Sequence, residues 1–337
     1  MPKFSFSRRS ALALTTVALA VSTLSGCAGE NATGGDTLSL DFATYNPLSL
    51  VLKEKGWLED ALADDGVTVE WIQSAGSNKA NEALRADAIQ VGSTAGSAAL
   101  LARSNDSPIK TIALYSQPEW AALVVNADSD ITDVADLKGK QVAATKGTDP
   151  YFFLLQALEE AGLSEKDITL QNVQHADGRT ALVNGSVEAW SGLDPIMAGA
   201  EQEGATLVYR NLDFNTYGAL NAREDFIEES PELAQTVVDA YEKARQWAAA
   251  NPEETAQILA DVAGLDLEVA TVVIEERSNL DVDAVPSASF VDVLRNIGPV
   301  FVESGDVTSQ DVVDEKLATL VDDQFARNAD ASKIAGE

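Results

Sequence analysis

The segment 37–42, TLSLDF, alternates apolar and polar positions with the two-residue period of a half-buried strand. Beyond a turn at ATYNP, the run LSLVLKEKGWLEDALADDG returns its apolar residues every three or four positions and predicts a helix. VTVEWI reads as a strand, QSAGS as a loop and NKANEALRA as a helix; AIQVG is a strand that hands over to a helix at STAGSAALLARSN. After IKTIALY and AALVVN the succession restarts with KQVAAT as a strand, KGTDP as a turn and YFFLLQALEEAG as a helix. ITLQNV then leads to QHADGRTALVNG, and VEAWSGL to DPIMAGAEQEG. Strands that alternate with helices across short loops predict a mostly parallel α/β sheet, here built twice. DFNTYGALNARE has strand character again and returns the chain to the first half, and from Pro231 onward the pattern is largely helical. The expected organisation is a first lobe from 37–124 and 216–337, enclosing a second lobe at 125–215.

The N-terminus departs from this pattern. Lys3, Arg8 and Arg9 precede the apolar run ALALTTVALAV, which ends at LSGC. A basic start, a short apolar core and a small-residue cleavage site make a secretory signal over 1–26, and the core is too short to span a bilayer. Leu24-Ser25-Gly26-Cys27 fits a bacterial lipobox, in which the cysteine carries the lipid; the pair Arg8-Arg9 leaves general and twin-arginine export both open. Residues 27–36 read as a small, polar, Gly-rich tether. With a single Cys in 337 residues no internal disulfide can form, and a formal charge of −31 excludes a nucleic-acid binder that must neutralise phosphates. Any anionic ligand must be held by local dipoles against an unfavourable overall field.

Parallel α/β sheets place ligands beyond the carboxyl ends of their strands, where helix N-termini present free N–H groups. The expected helix starts in the first lobe are neutral: Asn46, Ser77, and Ser93 or Thr94. Those in the second lobe are acidic: Asp149, Asp177 and Asp194. An Asp N-cap already compensates its helix dipole and repels an anion placed over it, and Pro150 and Pro195 at the first helical positions suit plain capping. An anion is therefore expected in the first lobe, over Tyr45-Asn46, Gly76-Ser77 and Ser93-Thr94. Gly147 and Thr148 border the cleft, and Asp194 meets a ligand ammonium or hydroxyl. Trp120 and Trp190 could line the cleft, although core packing is the ordinary role for such residues. Arg179 either reaches the ligand or pairs at the surface.

The inventory for catalysis is thin. The chain has one His, His175, and one Cys, so a His/Cys metal cluster is excluded, although carboxylate-bound calcium or magnesium is not. Phosphate-loop, dinucleotide and nucleophile-elbow motifs are all missing from the sequence, and no cofactor is expected.

SLVLKEKGWLE, SAGSNKANEALRADAIQVGSTAGSAALLA, VADLKGKQVAATKGTDPYFFLLQALEEAGLSEKDITL and DGRTALVNGSVEAWSGLDPIMAGAE together resemble the aliphatic sulfonate-, taurine- and nitrate-type solute-binding proteins of ABC importers. The resemblance runs from about Leu38 to Tyr241 and extends to binders of pyrimidine precursors. It implies a two-lobed periplasmic-binding-protein fold of type II, with each lobe a mixed sheet flanked by helices and the ligand between turns at Tyr45, Gly76-Ser77, Ser93-Thr94, Gly147-Thr148 and Asp194-Pro195. Where sulfonate binders commonly have a small Gly-Ser-Ser turn, this chain has Gly147-Thr148-Asp149-Pro150. The implied function is an extracytoplasmic, lipid-anchored, monomeric receptor for a small organosulfonate. It closes about hinges near Leu123–Asn126 and Asn215–Leu220, then docks on a membrane permease driven by an ATPase. A nitrate-type or pyrimidine-like ligand is the alternative, and an enzyme on this fold using His175 is the alternative of another class.

Overall fold

The computed structural model describes residues 37–336. The export signal, the lipobox at Cys27 and the tether lie outside the described residues.

Ten strands form two five-stranded sheets. The first contains β1 (Thr37–Phe42), β2 (Thr68–Gln73), β3 (Val91–Ala95), β4 (Ile109–Ser116) and β10 (Gly218–Arg223), in the order β2-β1-β3-β10-β4. The second contains β5 (Ala121–Val125), β6 (Gln141–Ala144), β7 (Thr169–Asn172), β8 (Ala189–Leu193) and β9 (Thr206–Tyr209), in the order β7-β6-β8-β5-β9. β1 runs parallel to β2 and β3, and β6 parallel to β7 and β8. β10 is antiparallel to β3 and β4, and β5 to β8 and β9. The antiparallel member of the first sheet thus arrives only after the chain has built the second. Helices flank both sheets, and the two-lobed mixed-sheet architecture implied by the resemblance is present.

The helices bearing on the site are α1 (Pro47–Lys55), α2 (Trp57–Leu62), α3 (Ser77–Arg85), α4 (Gly96–Ser104), α5 (Asp149–Glu160), α6 (His175–Val183) and α7 (Ile196–Gln202). The single helix read over 48–66 breaks into α1 and α2 at Gly56, whose φ of 67° lets its N–H close on the Leu52 carbonyl at 3.0 Å.

Two expectations change. Leu123 and Val124 pair on both sides within the second sheet and Val125 on one, so the chain passes between sheets at 117–120 and 210–217. The boundary read at 124/125 falls inside β5 and the hinge read at Leu123–Asn126 covers its end, one strand too late. Ser93 and Thr94, read as the start of a helix, are instead interior residues of β3, and the helix begins at Gly96. Small polar residues tolerate this central position because β10 supplies partners: Asn221 Nδ2 donates to Thr94 Oγ1 at 2.9 Å and Asn221 Oδ1 accepts from Thr111 at 2.8 Å.

One hydrophobic core runs beneath both lobes, and a separate cluster around Trp190, Val187, Leu182 and Met197 sits between the second sheet and α6 and α7. Trp190 is therefore a core residue: a Cβ at Gly178 on α6 would lie 2.6 Å from its indole nitrogen. Gly218 is equally constrained, since a Cβ there would strike the buried Tyr115 ring and Ser116 Oγ. Gly218→Ala is expected to cost about 1–3 kcal/mol by overpacking, measured as a lower urea midpoint with unchanged m-value. An unchanged midpoint would show that β4 gives way freely.

Candidate functional site

The two connections between lobes are strapped from several sides. Asp194 N–H donates to the Trp120 carbonyl at 2.9 Å, Glu119 N–H to the Arg277 carbonyl at 2.9 Å, and Gln117 N–H to the Asn279 carbonyl at 3.1 Å. A π-helical turn at Val273–Arg277 thereby comes to rest beside the crossing segment 117–120. These contacts enclose a chamber between the lobes, lined by Thr44 and Tyr45 from the first lobe, Asp194 from the second, and Ser116, Trp120 and Arg277 at the junction. Its volume of about 10 Å³ is room for roughly one water. The lobes are closed on each other.

Arg277 supplies the chamber's positive charge. The residue is 8 % exposed; Nη1 donates to Asp194 Oδ2 at 3.3 Å, and Nη2 lies 2.7 Å from Glu201 Oε2, an ion pair whose geometry is too poor for a hydrogen bond. Burial pushes the Asp194 carboxyl up to about 6, while Arg277 and the Ala198 N–H, which donates to Asp194 Oδ1 at 2.9 Å, pull it down. Ser116 Oγ is buried beside them without a hydrogen-bond partner. Tyr45 and Trp120 meet edge to face at 6.2 Å between ring centroids and form the aromatic wall.

The other residues named from sequence are held by the protein itself. Asn46 caps α1, accepting from Ser49 N–H at 3.3 Å, and donates to Tyr241 at 3.2 Å. Tyr45 donates to the Ser93 carbonyl at 2.9 Å. Ser93 gives both its N–H and its hydroxyl to Asp41 Oδ1, at 2.8 and 2.9 Å. Burial pushes Asp41 up to about 7, and its second oxygen is unpartnered. Thr94 donates to the Ala95 carbonyl at 2.8 Å, and Ser77 Oγ accepts from Ala95 N–H at 2.9 Å. Ser77 is the first residue of α3, with Gly76 as its cap. The neutral first-lobe hydroxyls read as an anion cradle are thus engaged internally, with a carboxyl group beneath them.

In the second lobe, Thr148 caps α5 and donates to the Thr145 carbonyl at 2.6 Å; Gly147, at φ 77°, faces Asn78 and Leu101 of the first lobe. Asp149 is not the cap expected of it. Its carboxylate turns out of its own helix and accepts from Ser97 Oγ, Trp120 Nε1 at 2.8 Å, Thr216 N at 2.7 Å and Thr216 Oγ1 at 2.8 Å. It ties α4 and both connections to α5. Asp177 is also not a cap, since α6 begins at His175 behind Gln174. Asp194 lies one residue before the Pro195 cap of α7, yet its Oδ1 accepts the Ala198 N–H of the first turn.

His175 is 1 % exposed. Thr145 donates to the Val173 carbonyl at 2.7 Å, so its oxygen accepts from His175 Nδ1–H at 3.2 Å. This leaves Nε2 as a bare acceptor against Gly76, and burial lowers the imidazole to about 3. A base so weak is poorly matched to acid–base catalysis near neutrality. Arg179 pairs with Glu203 at 2.5 Å rather than reaching the chamber. Among the described residues there is no cluster of metal-ligating side chains, and no helix is long and apolar enough to cross a membrane. Sequence reading missed Arg277 and Ser116; neither belongs to a local motif.

The family described as NMT1/THI5 like matches residues 48–255. A putative aliphatic sulfonates-binding protein of Bacillus subtilis is 31% identical over 77% of this chain and 80% of its own length. The alkanesulfonate-binding protein SsuA from Xanthomonas axonopodis pv. citri, solved bound to MOPS, superposes with a TM-score of 0.76 at 22% identity, covering 85% of this chain and 99% of that one. The desulfurization enzyme DSZB shares the fold at a TM-score of 0.63 and 15% identity, covering 87% of this chain and 98% of that one.

Proposed function

The chain belongs to the NMT1/THI5-like family, and we propose that it is the solute-binding component of an ABC importer, taking a small organosulfonate into the cleft between its lobes. Cys27 carries the lipid that holds the receptor at the outer face of the membrane, where its closed form meets the permease. The observation that carries the ligand reading is Arg277, a buried cation in a strongly acidic chain that shares a chamber with the unpartnered hydroxyl of Ser116; an incoming anion would share its guanidinium with Asp194 and Glu201. A sulfonate is ionised at all relevant pH and offers only acceptors, which suits a guanidinium fork and a free hydroxyl. The binding proteins of Bacillus subtilis and Xanthomonas axonopodis support the same ligand class. This assigns the anion to the junction, rather than to the first-lobe turns at Ser77, Ser93 and Thr94.

The closed chamber has room for about one water, so the ligand enters only after the lobes part about 117–120 and 210–217. Calorimetry with alkanesulfonates, taurine, sulfate esters, nitrate and a pyrimidine tests the ligand class. Micromolar binding confined to nitrate or the pyrimidine would overturn it. Arg277→Lys keeps the charge and loses the fork, and is expected to weaken sulfonate binding at least tenfold, or about 1.4 kcal/mol. A pyrimidine-like ligand would instead stack on Tyr45 and Trp120 and depend on Asp194; Asp194→Asn would then be the damaging change.

A further inference from the structure

Two carboxylates share one guanidinium at the chamber. Asp194 Oδ2 accepts from Arg277 Nη1 at 3.3 Å and Glu201 Oε2 lies 2.7 Å from Nη2, so the cluster is net negative before any ligand arrives. Asp194 and Arg277 are buried, and water screens that excess poorly. The other charged groups around Asp194 are engaged elsewhere: Glu119 with Arg210 at 2.8 Å, Arg179 with Glu203 at 2.5 Å, and Asp149 with Trp120 at 2.8 Å. Glu275 and Glu276, on the π-helical turn, are exposed. Tyr45, the other titratable group lining the chamber, is a phenol that burial keeps neutral. A sulfonate arriving at Arg277 would double the excess negative charge. Of the two carboxylates, Asp194 is the more deeply buried, and its own desolvation already opposes ionisation. Its Oδ1 holds the Ala198 N–H at 2.9 Å, which leaves Oδ2, the oxygen nearer the guanidinium, to take a proton.

We propose that ligand binding takes up a proton: as the sulfonate moves onto the Arg277 guanidinium, Asp194 Oδ2 is protonated from solvent and its O–H donates to a sulfonate oxygen. The proposal rests on the organosulfonate reading above. The proton comes from water or buffer, the sulfonate stays ionised, and the charge of the cluster is the same before and after binding. A repelling oxygen becomes a donor, while the Ala198 N–H keeps its acceptor. In the free protein the Asp194 carboxyl titrates at about 6, so above that pH the proton must be drawn in with the ligand. Affinity therefore strengthens as pH falls from 8, by up to about tenfold per pH unit, and levels off below about 6.

A pH-stat on the full chain in unbuffered salt at pH 7.5 counts the protons directly and keeps sulfonate buffers out of the cleft. Saturating ethanesulfonate is expected to take up between about half a proton and one proton per bound ligand. Calorimetry in Tris is expected to give an affinity severalfold higher at pH 7 than at pH 8. Asp194→Asn is permanently neutral and retains an acceptor for Ala198. It is expected to bind ethanesulfonate at pH 8 at least as tightly as the native protein, with no uptake and no change of affinity between pH 8 and pH 7. Ethanesulfonate bound by the native protein without proton uptake would overturn the coupling and leave the organosulfonate reading standing; this count decides even if the variant does not fold. Uptake that persists in Asp194→Asn would place the proton on another group and also overturn it. Failure of every alkanesulfonate to bind would overturn the ligand class itself, and the coupling with it.

Discussion

Asp149→Asn is expected to destabilise the protein by about 1–3 kcal/mol, the cost of disturbing a buried hydrogen-bond network. Four donors converge on this carboxylate: Ser97 Oγ and Thr216 Oγ1 on one oxygen, Trp120 Nε1 and the Thr216 N–H on the other. Trp120 Nε1–H and the Thr216 N–H can only donate, the two hydroxyls can donate or accept, and at a site 1% exposed burial raises the carboxyl pKa. An amide keeps its oxygen toward Trp120 Nε1 and the Thr216 N–H and turns its NH₂ toward the two hydroxyls, which must then reorient to accept, at a site where Thr216 Oγ1 already accepts from the Ser97 N–H. Urea unfolding at pH 7 measures the effect. A loss below about 0.5 kcal/mol would mean that the network is dispensable. The same substitution also loosens both connections between lobes, because Trp120 and Thr216 belong one to each. It is therefore expected to shift the ensemble toward open lobes, visible as a larger radius of gyration in solution scattering.

The second large effect is in pH. His175 is held neutral by burial, with its folded pKa lowered to about 3, while an unfolded histidine titrates near 6.5. Below pH 6.5 the unfolded chain binds a proton that the folded chain refuses, so acid favours unfolding. This contribution is fully present above pH 6.5 and is lost as pH falls toward 3. Between pH 7 and pH 4 it amounts to about 3 kcal/mol. Asp41 and Asp194, with folded pKa values raised by burial to about 7 and about 6, have the opposite slope. Each contributes most below its unfolded pKa near 4, and loses that contribution as pH rises through its folded value. Comparing the native protein with His175→Asn cancels those terms. The variant is expected to start less stable at pH 7, yet to lose about 3 kcal/mol less than the native protein on acidification to pH 4. Parallel pH profiles for the two proteins would show that His175 is not neutral in the fold.

The alternation of strands and helices was legible in the sequence because hydrophobic period is a local property. Even the return of GALNAR to the first lobe could be read from its strand character. The failures came where distant residues decide. Gly92-Ser93-Thr94-Ala95 has the small, polar composition of a turn, but Asp41 and Asn221 supply hydrogen-bond partners from neighbouring strands and hold it as a central strand. Asp149 before Pro150 has the local signature of a cap; donors from Ser97 and Thr216, far off in sequence, outbid that role. Arg277 sits in VVIEERSN, where a cation among acids looks like an ordinary solvated helix face. Only the packing of the π-helical turn against 117–120 turns it inward. Of the candidate site, Tyr45, Trp120 and Asp194 meet at the chamber, while Asn46, Ser77, Ser93 and Thr94 serve the first lobe's own architecture.

The position of β10 also fixes an order of assembly. Its Asn221 bonds to Thr94, 127 residues earlier, and the strand lies between β3 and β4. Every strand of the second sheet lies within 121–209, so that lobe is complete in sequence before β10 has been synthesised. The first sheet must wait with β3 and β4 unpaired on their facing edges. Such long-range pairing is slow, and open edges of this kind recruit other chains. During biogenesis the aggregation-prone interval closes only when residues 218–223 have been made and slotted between strands formed more than a hundred residues earlier.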